Sequence, residues 1–543
     1  MGVTSHGKRA AIGVIAASAA LALSSCAPQA PTATEGTPAG AGDETLTIAT
    51  TTDVVNYNPL IGNSRSDYWV TNLMYPHLLS IDDDGSKSPQ LAVEWGYVDD
   101  TTGFYEIRDD VTWSDGEPVT ADDVAYTMNA VKQDAPAGTY YGQMGNFASA
   151  EAVSDTRVEI TLSQPDSSIV EEIGFWGNVV PQHVFEPAGS VAEFANDGSD
   201  GGWVSAGPYV LTGVQVGQSY TLDRVEDYPL VEGGTPIPAQ VVYRVYPDVN
   251  TEILALQSGE VDVIANSLPP AQVEQLRNTA GIEVVEVTGL GYAHMTYNMQ
   301  QADLAKVEVR QALAHAADYE AIRSVVLQGQ AVSTGSSPLM PVLSKYYDDG
   351  ITEYEYDPGM SRDLMEQAGY TAGADGMFPV SFRLLYSLQD PVTSQWAQLV
   401  KDGAAEAGIA IELQGLERNT YLARTNEGDY DIYAGNFAIM DDPVTNFSLS
   451  YLPGGAINYT YVDDPELNGL IAEAGSTFDE DEKIELMREA ARIVHEQVYD
   501  NVMYTQNLYV AHSSEWTGFV SKPSELLSIV NPESIAGASK VAD

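Results

Sequence analysis

The sequence predicts an α/β protein of two or three lobes built on partly parallel sheets. Three observations carry that expectation. The chain has 543 residues, 44% of them hydrophobic and 19% charged, an ordinary globular balance in a length that exceeds what one core fills. Runs rich in β-branched and aromatic residues alternate with segments of helical periodicity instead of segregating into separate halves. No short internal repeat is present, so the strands and helices belong to lobes and not to a stacked array.

Taken in order, the chain opens with Lys8-Arg9 followed by an apolar run, Ala10 to Leu23, broken only by Gly13 and Ser18. The run is too short for a stable membrane span and fits the apolar part of a signal peptide, residues 1–25. It ends in Leu23-Ser24-Ser25-Cys26, which resembles a bacterial lipobox; Cys26, the only cysteine in the chain, is then the lipidated mature N-terminus. Residues 27–43 hold only Ala, Pro, Thr, Gly, Gln, Glu and Asp. With no large apolar side chain, they make a flexible tether with a reach of roughly 20–25 Å.

Strands are predicted over residues 45–51, 240–246, 281–287, 293–298, 409–413, 431–437 and 501–512, each rich in β-branched or aromatic residues. Helical periodicity is clearest over residues 307–327, where Val309, Leu313, Ala316, Val325 and Val326 share one side. It recurs over 481–498 with Ile484, Met487, Ala491, Val494 and Val498. The segment 361–369 closes on Gly369, where a helix C-terminus is expected.

Charge and motifs then narrow the function classes. With 78 acidic against 24 basic residues the formal charge is −54. Phosphate neutralisation by a nucleic-acid binder and polybasic docking on anionic lipid are both excluded on that balance. No G-x-S-x-G elbow, no P-loop and no G-x-G-x-x-G occurs. With Cys26 lipidated, no thiol is left for catalysis or thiolate zinc. His495-Glu496 starts like a zinc-protease motif, but position 499 is Tyr. The acidic runs at 82–85 and 348–350 lack the glycine and glutamate positions of a calcium loop and are expected to be turns. No enzyme is proposed by any of these patterns, and no cofactor or metal is expected. A carboxylate pair for glycoside hydrolysis is spatial and stays open as a remote alternative.

The block 88–129, SPQLAVEWGYVDDTTGFYEIRDDVTWSDGEPVTADDVAYTMN, strongly resembles the signature of family 5 extracellular solute-binding proteins, the dipeptide, oligopeptide and nickel receptors of ABC importers. Within it, Trp113-Ser114-Asp115-Gly116 is a predicted turn between strands. Thr120-Ala121-Asp122-Asp123 is a predicted capped helix start, so the block is scaffold. Further family-like pieces follow in order: Asn58-Pro59-Leu60, residues 74–79, Ala206-Gly207-Pro208-Tyr209, residues 256–264 (LQSGEVDVI), residues 309–318 (VRQALAHAAD) and Tyr356-Asp357-Pro358.

The resemblance implies a two-lobe venus-flytrap fold of the larger periplasmic-binding class, with an extra subdomain in the first lobe. The first lobe is expected from residues 44–80, 203–288 and 509–543, the extra subdomain from 81–202 and the second lobe from 289–508. The implied mechanism is hinge closure on a solute, then docking on a membrane permease whose energy comes from separate ATPase subunits. The protein is expected to be a monomer held at the outer face of the membrane by its lipid alone.

By the same resemblance, ligand contacts are expected at Asn63 and Arg65 in the first lobe; Tyr68 is a further candidate because its aromatic face suits a cleft lining. In the second lobe they are expected at His294, Thr296, Gly435, Asn436, Phe437, Ile439 and Asp441. Peptide-binding relatives carry an acidic residue four positions before a proline, which pairs with the peptide amino group. Here that position is Ile439, four before Pro443, and an apolar side chain makes no charge-assisted bond to an ammonium. Asp441 or Asp442 is the alternative carboxylate. Arg65 suits either a ligand carboxylate or a surface acid. His294 is either a contact or a core histidine, and alone it makes no nickel site. A peptide is the leading ligand, an oligosaccharide the alternative, with nickel complexes and opine-like compounds behind them.

Overall fold

The structure, a computed structural model, describes residues 44–541 except Gly62, Asn63, Ala137, Asp200, Glu232 and Ala438. The leader, Cys26, the tether and the candidate contact Asn63 therefore lie outside the described residues.

Two mixed sheets organise the chain. The first has seven strands in the order Ile282–Val287, Leu508–Ser513, Val263–Ile264, Thr45–Thr50, Gln240–Val245, Ser219–Arg224, Tyr209–Gln215. Thr45–Thr50 runs parallel to both of its neighbours, and the other pairings are antiparallel. The second has six, in the order Ala331–Val332, Asp500–Gln506, Tyr292–Tyr297, Ile432–Phe437, Ser381–Ser387, Ala410–Leu416. A four-stranded antiparallel sheet, Ala92–Asp99, Thr102–Ile107, Arg157–Leu162 and Phe147–Ala152, shares its core with the first sheet. Leu46 and Ile48 of the first sheet and Tyr105, Val158 and Ile160 of the small sheet belong to one continuous buried cluster. The second sheet has a core of its own, Met295, Tyr297, Leu384 and Ile432 packed with Leu313, Trp396 and Val400.

The run predicted as a single strand over 501–512 is two strands in two different sheets. Asp500–Gln506 pairs with Tyr292–Tyr297 in the second sheet, and Leu508–Ser513 pairs with Ile282–Val287 in the first. Only Asn507 separates them. The other crossing between these sheets is residues 288–291. The two crossings touch: a Cβ on Gly289 would overlap the Gln506 carbonyl oxygen, and the Thr505 hydroxyl donates to the Gly291 carbonyl at 2.7 Å. Only glycine permits that approach.

The helix predicted over 307–327 is also corrected. It stops at His315, restarts at Tyr319–Ala321 and continues as a π-helical segment, Ile322–Val326. The breaker is Asp318, whose carboxylate accepts the Ala321 N–H at 2.8 Å and so starts a new turn instead of continuing the old one. The helix predicted over 481–498 is observed at Glu480–Glu496, and the one ending at Gly369 at Pro358–Gln367. Gly369 takes φ +93°, the left-handed backbone that glycine adopts without strain.

The signature block is scaffold. Its turn closes through Trp113 N–H to the Glu117 carbonyl at 2.8 Å, and the helix Ala121–Asp134 follows. Asp123 ties the block together, accepting the Thr120 N–H at 3.0 Å, the Trp113 indole N–H at 3.2 Å and the Gln182 N–H at 2.8 Å. Among the described residues no helix is long and apolar enough to cross a membrane.

Among the described residues, five helices begin with an Asx–Pro pair: Asp357-Pro358, Asp390-Pro391, Asp442-Pro443, Asp464-Pro465 and Asn531-Pro532. In each, the Asx side chain accepts backbone N–H bonds of the first turn. Proline sits at the first helical position, where its missing N–H costs nothing.

Candidate functional site

The two lobes, the bodies built around the first and the second sheet, meet across an apolar cluster. Ile81, Phe175 and Leu527 come from the first lobe, and Leu290, Tyr292, Met340, Met440 and Val502 from the second. Tyr68, Trp176, Phe437, Ile439 and Ile457 pack around them.

Charge is buried inside this contact. The Lys87 ammonium, on the strand Lys87–Pro89 of the first lobe, donates to the Asp441 carboxylate of the second. Glu172 lies 3.8 Å from the same ammonium, which also stands 4.4 Å above the Phe175 ring. The Lys87 and Asp441 side chains are each 3% exposed, so solvent screens this pair little. Burial by itself pulls the Lys87 ammonium down, but Asp441, Glu172 and Asp442 outweigh it and hold the group above the ordinary lysine range. Burial, reinforced by Asp441, pushes the Glu172 carboxyl well above the usual carboxylate range, against the pull of Lys87.

The sequence left Asp441 and Asp442 as equal alternatives, and the structure separates them. Asp442 is the N-cap of Pro443–Tyr451 and accepts the Thr445 N–H at 2.7 Å. Capping turns its carboxylate to its own helix, which leaves Asp441 to face the other lobe.

A second polar group lies on the central strand of the second sheet. His294 Nδ1 stands 2.9 and 3.0 Å from the two Asp500 oxygens, and the Tyr451 hydroxyl donates to Asp500 at 3.0 Å. Nδ1 is thus tied to Asp500, and Nε2 is the ring atom left for another partner. His294 Nε2 and Thr296 Oγ1 are buried and have no hydrogen-bond partner among the described residues. Both side chains emerge on the same face of Tyr292–Tyr297. Phe437 packs 4.3 Å from the His294 ring and Tyr292 5.3 Å from it; both aromatics belong to the inter-lobe contact.

The remaining expected contacts are distributed as follows. Arg65, near the start of the helix Arg65–Asn72, pairs with Glu525 at 2.6 Å on the exposed surface. Tyr68 lies three residues on, in the inter-lobe contact, where burial pushes its hydroxyl up to about 12. Gly435 is buried opposite His294, and a Cβ there would overlap the Tyr433 hydroxyl. Asn436 is exposed and its amide donates to Asp390, the cap of Pro391–Glu406, at 2.9 Å. Ile439 is half-buried in the apolar contact.

Lys87, Glu172, Asp500 and Tyr451 were not singled out from sequence. For Lys87 a signal existed: cations are scarce here, and one placed directly before the signature block stands out. For Asp500 none did, since its partner His294 is 206 positions away. A cavity of about 520 Å³ lies within the first lobe beside the contact, bounded by Tyr68, His77, Gln90, Phe175, Lys522 and Leu527 among others. No group of His, Cys, Asp and Glu able to hold a metal ion exists among the described residues.

The profile of bacterial extracellular solute-binding proteins, family 5 (middle region), matches residues 87–458. The chain belongs to this family. It is 25% identical over 497 residues to a probable D,D-dipeptide-binding periplasmic protein of Escherichia coli, covering 88% of this chain and 92% of that one. It is 28% identical over 436 residues to heme-binding protein A of Haemophilus influenzae, at 75% and 77% coverage. Among solved structures, the ABC transporter substrate-binding protein CtaP of Listeria monocytogenes superposes with a TM-score of 0.82 at 22% identity, over 92% of this chain and 100% of that one. The oligopeptide-binding protein AppA of Bacillus subtilis, in complex with a nonapeptide, superposes with a TM-score of 0.75 at 20% identity, over the same shares. The fold is therefore the two-lobe fold of the family's solved members, and the chain is a solute-binding receptor.

Proposed function

We propose that this receptor captures a peptide between its lobes and delivers it to the permease of an ABC importer, working as a lipid-anchored monomer without catalysing a reaction. The observation that carries the reading is the inter-lobe contact. Its aromatic faces are Tyr68, Tyr292 and Phe437. Tyr292 and Phe437 stand beside the His294 ring, whose Nε2 has no hydrogen-bond partner among the described residues. Hinge opening at residues 288–291 and Asn507 exposes that surface, and closure on a solute buries it. The peptide class follows the relatives, several of which are named as dipeptide- or oligopeptide-binding proteins. The unpartnered ring nitrogen of His294 suits a hydrogen bond to a peptide backbone, and selectivity then rests on leaving that atom unpaired with wrong ligands.

The lipobox reading supports an anchor at Cys26 and a location outside the cell membrane. A Cys26→Ala variant should be released from membranes; normal membrane retention would contradict the anchor.

A thermal-shift screen of residues 44–543 against di- to pentapeptides, oligosaccharides and nickel chelates tests the ligand. Saturation at 100 times Kd adds about 2.7 kcal/mol to stability, read as a rise in melting temperature. Peptide hits support the proposal. Oligosaccharide hits with every peptide silent replace the ligand class, and turnover of a glycoside would overturn the receptor reading in favour of a hydrolase.

A further inference from the structure

The Lys87–Asp441 pair joins the two lobes with charges that both belong to the protein. Lys87 follows the strand Leu79–Ile81 and pairs with it in the first lobe. Asp441 lies between the strand Ile432–Phe437 and the helix Pro443–Tyr451 of the second. Opening the lobes must separate them. The neighbours are fixed: Phe175 beneath the ammonium, Glu172 at 3.8 Å, and Asp442 held by its own helix.

We propose that Lys87 and Asp441 form a charge-coupled latch that closes the lobes on each other, with Lys87 filling at Asp441 the place a ligand ammonium would take. The consequence for specificity rests on the peptide reading above: a free amino terminus is not required, and blocking it leaves binding unchanged.

The physical argument is the asymmetry of buried ion pairs. Removing one partner leaves an unpaired charge in a dry contact, which is strongly unfavourable. Replacing both by apolar groups of similar volume is often neutral or better. In a hinged protein the stranded charge has an escape, because opening returns it to water. Single variants should therefore open the lobes without unfolding them, and the double apolar variant should close them again.

The structure supplies a reporter for opening. The Ser167 N–H, in the first lobe, donates to the Gly475 carbonyl, in the second, at 2.9 Å. Its exchange with deuterium requires the lobes to part. The experiment is amide exchange by mass spectrometry on the full chain, following peptides that span 163–170. Lys87→Met and Asp441→Asn should each speed exchange there by tenfold or more, with the buried strands of both sheets still protected. Lys87→Met/Asp441→Leu should return the rate to within about threefold of the parent, the non-additivity expected of directly coupled groups. Single variants that exchange at the parent rate overturn the latch, and so does a double variant at least as fast as the singles.

Calorimetry with a tripeptide and its N-acetyl form tests the consequence. Equal Kd within threefold supports it; a hundredfold loss on acetylation overturns it. If neither form binds, the peptide reading fails, while the exchange result still decides the latch.

Discussion

At the scale of single residues, burial decides which charges matter in a chain that carries so many. Glu252, in the helix Val249–Ser258, is fully buried and neither carboxyl oxygen has a partner among the described residues. Burial, with Asp248 nearby, pushes its carboxyl from 4.5 up to about 8. The folded state then holds a proton that the unfolded state releases above 4.5, so stability falls as pH rises from about 4.5 to 8, by at most about 1.4 kcal/mol per unit. Glu252→Gln should abolish that slope. Melting curves at pH 5 and pH 8 check it: the variant should gain over the parent at pH 8 and match it at pH 5.

The same scale shows what was legible. Ile439 and Phe437 were singled out from a family-like stretch and Tyr68 from its aromatic face, and all three lie in the inter-lobe contact. Asp441 and Asp442 were not told apart, although the Asp-Pro pair at 442–443 marks an N-cap by its own chemistry. Asp442→Ala should cost about 1 kcal/mol as the loss of a cap, read by denaturant unfolding. Arg65, drawn in by its place after Asn-Pro, pairs with Glu525 460 positions away. Local sequence does not contain such a partner.

At the scale of elements, the strands that were predicted are β-branched runs with clear ends, whereas Tyr209–Gln215, Ser219–Arg224, Ser381–Ser387 and the four-stranded sheet were not singled out. The failures lie where one pattern serves two structures. Residues 501–512 carry enough β-branched and aromatic side chains to read as one strand, yet the chain leaves one sheet for the other at Asn507. The 307–327 helix reads as continuous because apolar spacing survives the break at Asp318. The crossings themselves depend on close packing of backbone. Gly289→Ala places a methyl against the Gln506 carbonyl and forces the two crossings apart. It should cost about 1–3 kcal/mol, the usual range for overpacking, and calorimetric melting should show it.

At the scale of the whole molecule, the acidic balance, the lobes and the hinge belong together. A formal charge of −54 opposes compaction by self-repulsion, and salt screens it over distances of about 10 Å at 0.1 M. Melting temperature should therefore rise between 50 and about 500 mM sodium chloride, and a fall would mean that surface ion pairs outweigh the repulsion. The fold class and the family were legible because the signature block and the later pieces run in order along the chain. The ligand was less so, because selectivity rests on contacts between residues hundreds of positions apart.

Isothermal titration of residues 44–543 with di- to pentapeptides is the direct test of whether the lobes capture a peptide. Saturable binding of one peptide per chain is expected, with a negative heat-capacity change from the apolar surface buried on closure. Absence of binding for every peptide, with saturable heats for an oligosaccharide, would contradict the peptide assignment. Absence for every class of solute would contradict the receptor itself.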